Sequence, residues 1–197
     1  MSLKTKVKAG NITNLSDARY CAGMGVDFLG FPVGASFTDD LKRLSDIRSW
    51  VSGPAIVLEC ETPQPDQALL ELLPSLNVDF VQVDVSVLDN FLATEVTLFV
   101  AIRLGDWDAN KNVLKKHQPR IKYLVVDHEG DVSIHGDLLE RIGSMFNILL
   151  VVGPDSDLSA TLALPITGVA ISGTPEEKPG LKEYSVADVL EQLEELG

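Results

Sequence analysis

Residues 123–152 read YLVVDHEGDVSIHGDLLERIGSMFNILLVV, and the fold is decided by how this stretch is understood. Tyr123–Val126 is an apolar run too short to be a helix. A polar segment from Asp127 to His135 follows, and Gly136–Met145 then places apolar residues at helical spacing. Ile148–Val152 is a second short apolar run. Runs without polar alternation read as strands buried on both faces, which is the mark of a parallel sheet. Parallel strands need a long crossover between them, and the helical segment supplies it. The stretch is therefore one strand–helix–strand unit.

The same alternation extends in both directions. Further apolar runs lie at Lys6–Ala9, Val26–Phe31, Ala55–Leu58, Phe80–Val83, Leu98–Ile102 and Gly168–Ile171. Helical patterns separate them. One runs to Met24, with Ser16 or Asp17 as its N-cap and Gly25 as its stop. Others are Asp39–Val51, Asp66–Leu73, Val87–Ala93, Ala109–His117, Asp157–Ala163 and Val186–Leu196, the last capped by Ser185. Eight such repeats predict a small (β/α)8 TIM barrel over residues 1–197, as a single domain, rather than an open doubly wound sheet. Neither G-x-G-x-x-G nor G-x-x-x-x-G-K-[ST] occurs, so the sequence carries no nucleotide-loop signature.

Composition narrows the function. The 197 residues hold 16 Lys plus Arg against 29 Asp plus Glu, a formal charge of −13. Such a surface repels phosphates, which argues against nucleic acid and anionic membranes as partners. No apolar run approaches the ~18 residues of a membrane span. The N-terminus turns polar at Lys4–Lys6, before a signal-peptide core could form, so a cytoplasmic location is expected. Cys21 and Cys60 lack metal-ligand spacing and read as free thiols.

In a barrel the chemistry lies at the C-terminal ends of the strands. That rule selects Gly10 and Asn11, then Glu59, Cys60 and Glu61, then Asp84, Arg103, the group Asp127, His128 and Glu129, then Gly153, and finally Ser172, Gly173 and Thr174. Asp127 follows four apolar residues, a setting in which desolvation favours a general acid, although a cap for loop amides fits the position equally well. His128 and His135 read as bystanders. Glu59, Asp84 and Asp127 would hold a divalent ion only if they converged; separate solvated acids are the better expectation, and no metal or cofactor is assigned. Gly153 and Gly173 suit backbone contacts to a phosphate, or ordinary turns.

Several of these positions fall in longer matches. Lys8-Ala9-Gly10-Asn11-Ile12-Thr13, then Asp17-Ala18, then Gly25-Val26-Asp27-Phe28-Leu29-Gly30-Phe31, resembles the N-terminal pattern of phosphoribosylanthranilate isomerases. Gln82, Tyr123–Asp127, Gly168–Gly173 and Pro179–Glu183 resemble later segments of that family. The resemblance implies the barrel. It also implies an Amadori rearrangement in tryptophan biosynthesis, without cofactor, on a phosphorylated sugar substrate. It makes Asp127 the general acid, and with the strand-end rule it leaves Lys8, Gln82, Asp84, Arg103, Gly153, Ser172 and Gly173 as the residues expected around the substrate. A monomer or homodimer is expected.

The family's cysteine base, however, falls at Gly10, and its next glycine at Asn11. The segment carrying its Arg is Gly34-Ala35-Ser36-Phe37. The glycines after strand 6 have become Glu129-Gly130-Asp131-Val132-Ser133, Pro154 follows Gly153, and the strand-8 Asp is Ala170. A missing base removes about 10²–10⁴-fold of rate, which argues against the ordinary isomerase reaction. Three readings follow. One is an isomerase with a displaced base such as Cys60 or Glu59. The second is a divergent barrel for another sugar phosphate or a small amine. The third is a non-catalytic binding or assembly protein.

Overall fold

The computed structural model of the chain describes residues 3–34, 37–60, 67–91, 94–173 and 185–196. Eight strands succeed one another: β1 (Lys6–Gly10), β2 (Phe28–Val33), β3 (Ala55–Cys60), β4 (Phe80–Asp84), β5 (Leu98–Arg103), β6 (Ile121–Asp127), β7 (Ile148–Val151) and β8 (Gly168–Ser172). Each pairs in parallel with the next, and β1 also pairs with β8, so the sheet closes. This is the expected (β/α)8 barrel. The helices are α1 (Leu15–Met24), α2 (Phe37–Arg48), α3 (Gln67–Leu72), α4 (Trp107–Lys116), α5 (Gly136–Gly143), α6 (Leu158–Leu162) and α7 (Ser185–Glu195).

Local chemistry adjusts several expected boundaries. Asn14, not Ser16 or Asp17, caps α1: its backbone is extended and its side chain accepts the Asp17 N–H at 2.9 Å. Gly25 ends that helix in the left-handed region at φ 81°, as anticipated. Helix α2 starts and ends earlier than Asp39–Val51. The helix expected at Val87–Ala93 is instead a 3₁₀ segment, Val85–Phe91. Asp84 tightens its first turn by accepting from both the amide (2.8 Å) and the hydroxyl (2.6 Å) of Ser86. Ala35, Ser36, Glu61, Asp66, Ala93, Thr174 and the Pro179–Glu183 match lie outside the described residues.

The strands bury both faces, as their composition requires. Outward side chains such as Leu29, Leu58 and Leu124 pack with the helices through Leu44, Leu114 and Leu190. Inward side chains follow the two-residue period: Phe28, Val57, Phe99, Tyr123, Val125, Leu149 and Ala170 form a separate core inside the barrel. Phe28 meets Phe80, Phe99 and Tyr123 edge-to-face, with centroids 5.9, 5.2 and 5.3 Å away. Such pairs each add about 0.5–1.5 kcal/mol beyond area burial. These rings come from the early positions of their strands and fill the N-terminal half of the barrel. The polar inward positions are thereby left at the opposite end. Phe99 is fully buried at the centre of this group. Phe99→Ala is expected to lower the urea-unfolding free energy by about 3–5 kcal/mol. Ile134→Ala, at a side chain 76% exposed, is expected to stay within about 0.5 kcal/mol of the parent.

Candidate active site

Above the aromatic plug, β1 and β3 each carry a charged inward residue. Lys8 is 3% exposed and Glu59 8%. They form an ion pair through Lys8 Nζ and Glu59 Oε1. Burying two ions costs several kcal/mol each, and the pair is tolerated only when the remaining lone pairs are satisfied. Asn11 meets that need, because its backbone N–H donates to Glu59 Oε2 at 2.7 Å. Asn11 takes a left-handed conformation, φ 53°, which asparagine adopts more readily than most residues. Its side-chain amide donates to the Gly173 carbonyl at 2.8 Å, and the Gly173 N–H donates to the Gly10 carbonyl at 2.8 Å. The turn after β1 is thus tied to β3 and β8 together.

The pair also needs space, which two glycines provide. A Cβ on Gly10 would stand 2.5 Å from Glu59 Oε1 and 2.7 Å from Lys8 Nζ. A Cβ on Gly30 would press still closer on the same oxygen. The carboxylate of Glu59 therefore fills the place where a side chain at position 10 would begin.

This pair floors a cavity of about 390 Å³ at the C-terminal ends of the strands. Gln82, Asp84 and Ser172 also line it. Gln82 Oε1 is buried without a hydrogen-bond partner. Of the expected substrate-contacting residues, Lys8, Gln82, Asp84 and Ser172 meet here. Asp127 and Arg103 line a neighbouring cavity of about 350 Å³ with His128 and His135. Asp127 is exposed and its Oδ1 accepts the His128 amide at 2.9 Å, so the low-dielectric setting expected for it is absent. Arg103 Nε donates to Asp106 Oδ2 at 3.0 Å. Gly153 lines a third cavity, and its N–H donates to Ser156 Oγ at 3.0 Å. Glu59 and Asp84 come together while Asp127 stands apart. Among the described residues, no three His, Cys, Asp or Glu groups are placed to share a metal ion.

Position at a strand end does not by itself single out Glu59 or link Gly10 with Gly30. The signal was the period of two: Ala55, Val57 and Glu59 share the inward face of β3, and Lys8 and Gly10 that of β1.

Neither protein-family models nor curated protein sequences match the chain. Solved structures do. A phosphoribosylanthranilate isomerase in complex with reduced 1-(o-carboxyphenylamino)-1-deoxyribulose 5-phosphate superposes with a TM-score of 0.69 at 19% identity, covering 97% of this chain and 99% of that one. The chain has the fold of phosphoribosylanthranilate isomerase. The Thermotoga maritima isomerase gives a TM-score of 0.68 at 18% identity over the same shares, 97% and 99%. The likeness also extends to the Vibrio cholerae 3-keto-L-gulonate-6-phosphate decarboxylase, with a TM-score of 0.57 at 14% identity over 100% of both chains. The likeness to these structures is one of fold, a closed (β/α)8 barrel over nearly the whole chain.

Cys60 follows Glu59 on β3, is buried, and also lines the mouth cavity. Burial, and then the neighbouring Glu59 charge, push its thiol up to about 12, so it stays protonated near neutrality. The unfolded thiol ionises near 9.0. Stability supplied by the protonated thiol is therefore complete below about pH 9 and is lost as pH rises toward 12. Between pH 8 and 10.5 the parent is expected to lose roughly 1–2 kcal/mol more unfolding free energy than Cys60→Ala. Parallel urea-denaturation profiles for the two proteins would contradict this.

Proposed function

We propose that the chain is a proton-transfer enzyme of the aldose–ketose isomerase type. Glu59 is the general base, Lys8 is its electrostatic partner, and the substrate is a small polyhydroxylated carbonyl compound held in the mouth cavity. The observation that supports this reading is the position of the Glu59 carboxylate, at the place where a side chain on residue 10 would begin. In the resembling family that residue is the base. A carboxylate can take the proton from a carbon next to a carbonyl or iminium group. The electron pair of the broken C–H bond becomes the C=C bond of an enediol or enaminol, while the carbonyl or iminium π pair moves to its oxygen or nitrogen. The neighbouring hydroxyl then loses its proton to that atom as its own oxygen becomes the new carbonyl, and Glu59 returns its proton to the former carbonyl carbon. The Lys8 ammonium beside Oε1 counters negative charge that develops on the substrate oxygen.

The finer assignment suggested by the fold is the Amadori rearrangement of phosphoribosylanthranilate in tryptophan biosynthesis, with Asp127 opening the ribose ring as acid. The solved structures described above carry sugar phosphates in their names or complexes, which makes that substrate class the natural first panel. One observation favours a different substrate: Asp127 lines a cavity separate from the one that holds Glu59. A ring-opening acid there would act from outside the mouth.

The test follows exchange of the carbon-bound proton by NMR in D₂O, alongside fluorescence-monitored consumption of phosphoribosylanthranilate. The panel contains ribose, ribulose, glucosamine and their terminal phosphates. Deuterium is expected at the carbon next to the carbonyl of at least one compound. Glu59→Gln should slow that exchange by about 10²–10⁴-fold, and Asp127→Asn much less. Exchange or consumption that persists in Glu59→Gln, or its absence across the whole panel, would contradict the proposal.

A further inference from the structure

Among the described residues, the mouth of this barrel offers no free cation or strand-end glycine amide to a phosphate, and it does offer acceptors to a donor-rich ligand. We infer that it selects an uncharged or cationic polyhydroxylated compound, an amino sugar above all, over the phosphorylated sugar. The inference rests on the mouth cavity being the substrate site, as proposed above, and adds the substrate class.

Three independent observations lead there. The first concerns amides. Phosphate in such barrels is gripped by backbone N–H groups after the last two strands. The Gly153 N–H is already given to Ser156 Oγ at 3.0 Å, and the Gly173 N–H to the Gly10 carbonyl at 2.8 Å. The start of the short helix α6 is closed in turn by Asp157, which accepts the Ala160 N–H at 3.0 Å and lines the Gly153 cavity with Asp155. An anion arriving there meets two carboxylates.

The second concerns cations. Lys8 is paired with the Glu59 carboxylate and Arg103 with Asp106, so each brings its own counter-charge. Among the described residues, no other Lys or Arg lines the mouth cavity. Its lining charges are Lys8 against Glu59 and Asp84, a balance of one negative charge.

The third concerns unmet acceptors. Gln82 Oε1 is buried with no donor, a costly state that a ligand hydroxyl or ammonium would relieve. Asp84 uses Oδ1 for Ser86, and its carboxylate is exposed at the mouth, where a ligand donor would take the place of water. These groups invite hydroxyl and ammonium donors. A phosphate offers acceptors only.

The test is equilibrium binding by calorimetry and ligand-observed NMR with four probes: ribose, ribose 5-phosphate, glucosamine and glucosamine 6-phosphate. Glucosamine is expected to bind most tightly, and each phosphate at least about tenfold more weakly than its parent sugar. Asp84→Asn, an isosteric change at an exposed position, should reduce the preference for glucosamine over ribose by about two- to fivefold. Tighter binding of either phosphate, an unchanged preference in Asp84→Asn, or no binding of any probe would overturn the inference. The two proposals fail separately. Glucosamine binding without proton exchange removes the catalytic reading and leaves the ligand class, whereas exchange confined to phosphorylated probes does the reverse.

Discussion

An ammonium and a carboxylate stand side by side at the heads of β1 and β3, both nearly sealed from water. Two ions in that position impose conditions on everything near them. The second carboxylate oxygen of Glu59 must find a donor, and Asn11 provides it by turning its backbone into the left-handed region. Space for the carboxylate head requires that positions 10 and 30 carry no side chain. The Asn11 turn in turn joins the end of β1 to Gly173 after β8, and that junction uses the Gly173 amide. A single buried pair thus fixes the shape of the mouth, its charge balance and the amides it can offer.

The fold was legible in the sequence because the strands must be apolar on both faces. That demand produces short, unbroken runs such as Ile148–Val152 and Gly168–Ile171, which no helix would use. The Gly25 stop was equally plain, since a left-handed residue there favours glycine. Asn14 was missed as a cap because Ser16 and Asp17 compete for the same role within three residues. The site was less legible. A residue at the end of a strand can tip into the barrel or out to solvent, and composition does not tell which. Asp127 follows the inward positions Tyr123 and Val125, yet it stands exposed and lines another cavity. Gly10 read as a lost base. Its second meaning, as room for a carboxylate from a strand 49 residues further on, exists only once β1, β2 and β3 are side by side.

The comparison with solved structures follows the same division. Nearly the whole chain superposes on isomerases at under a fifth identical residues, so what is shared is the barrel, and the site must be argued from this chain's own residues. The features of the mouth belong together. The Glu59 carboxylate, carried by β3, stands where a side chain on residue 10 of β1 would begin. The net charge of −13 then has a local counterpart, because the mouth is negative where a doubly anionic substrate would require cations.

The central claim is that Lys8 and Glu59 act as one unit, and a double-mutant cycle in urea unfolding tests it most directly. Lys8→Met and Glu59→Leu are each expected to cost about 3–5 kcal/mol, because each leaves a buried charge without its counterion. The double variant should cost less than either single change, which amounts to a coupling of at least about 3 kcal/mol. Single effects that simply add would contradict the account.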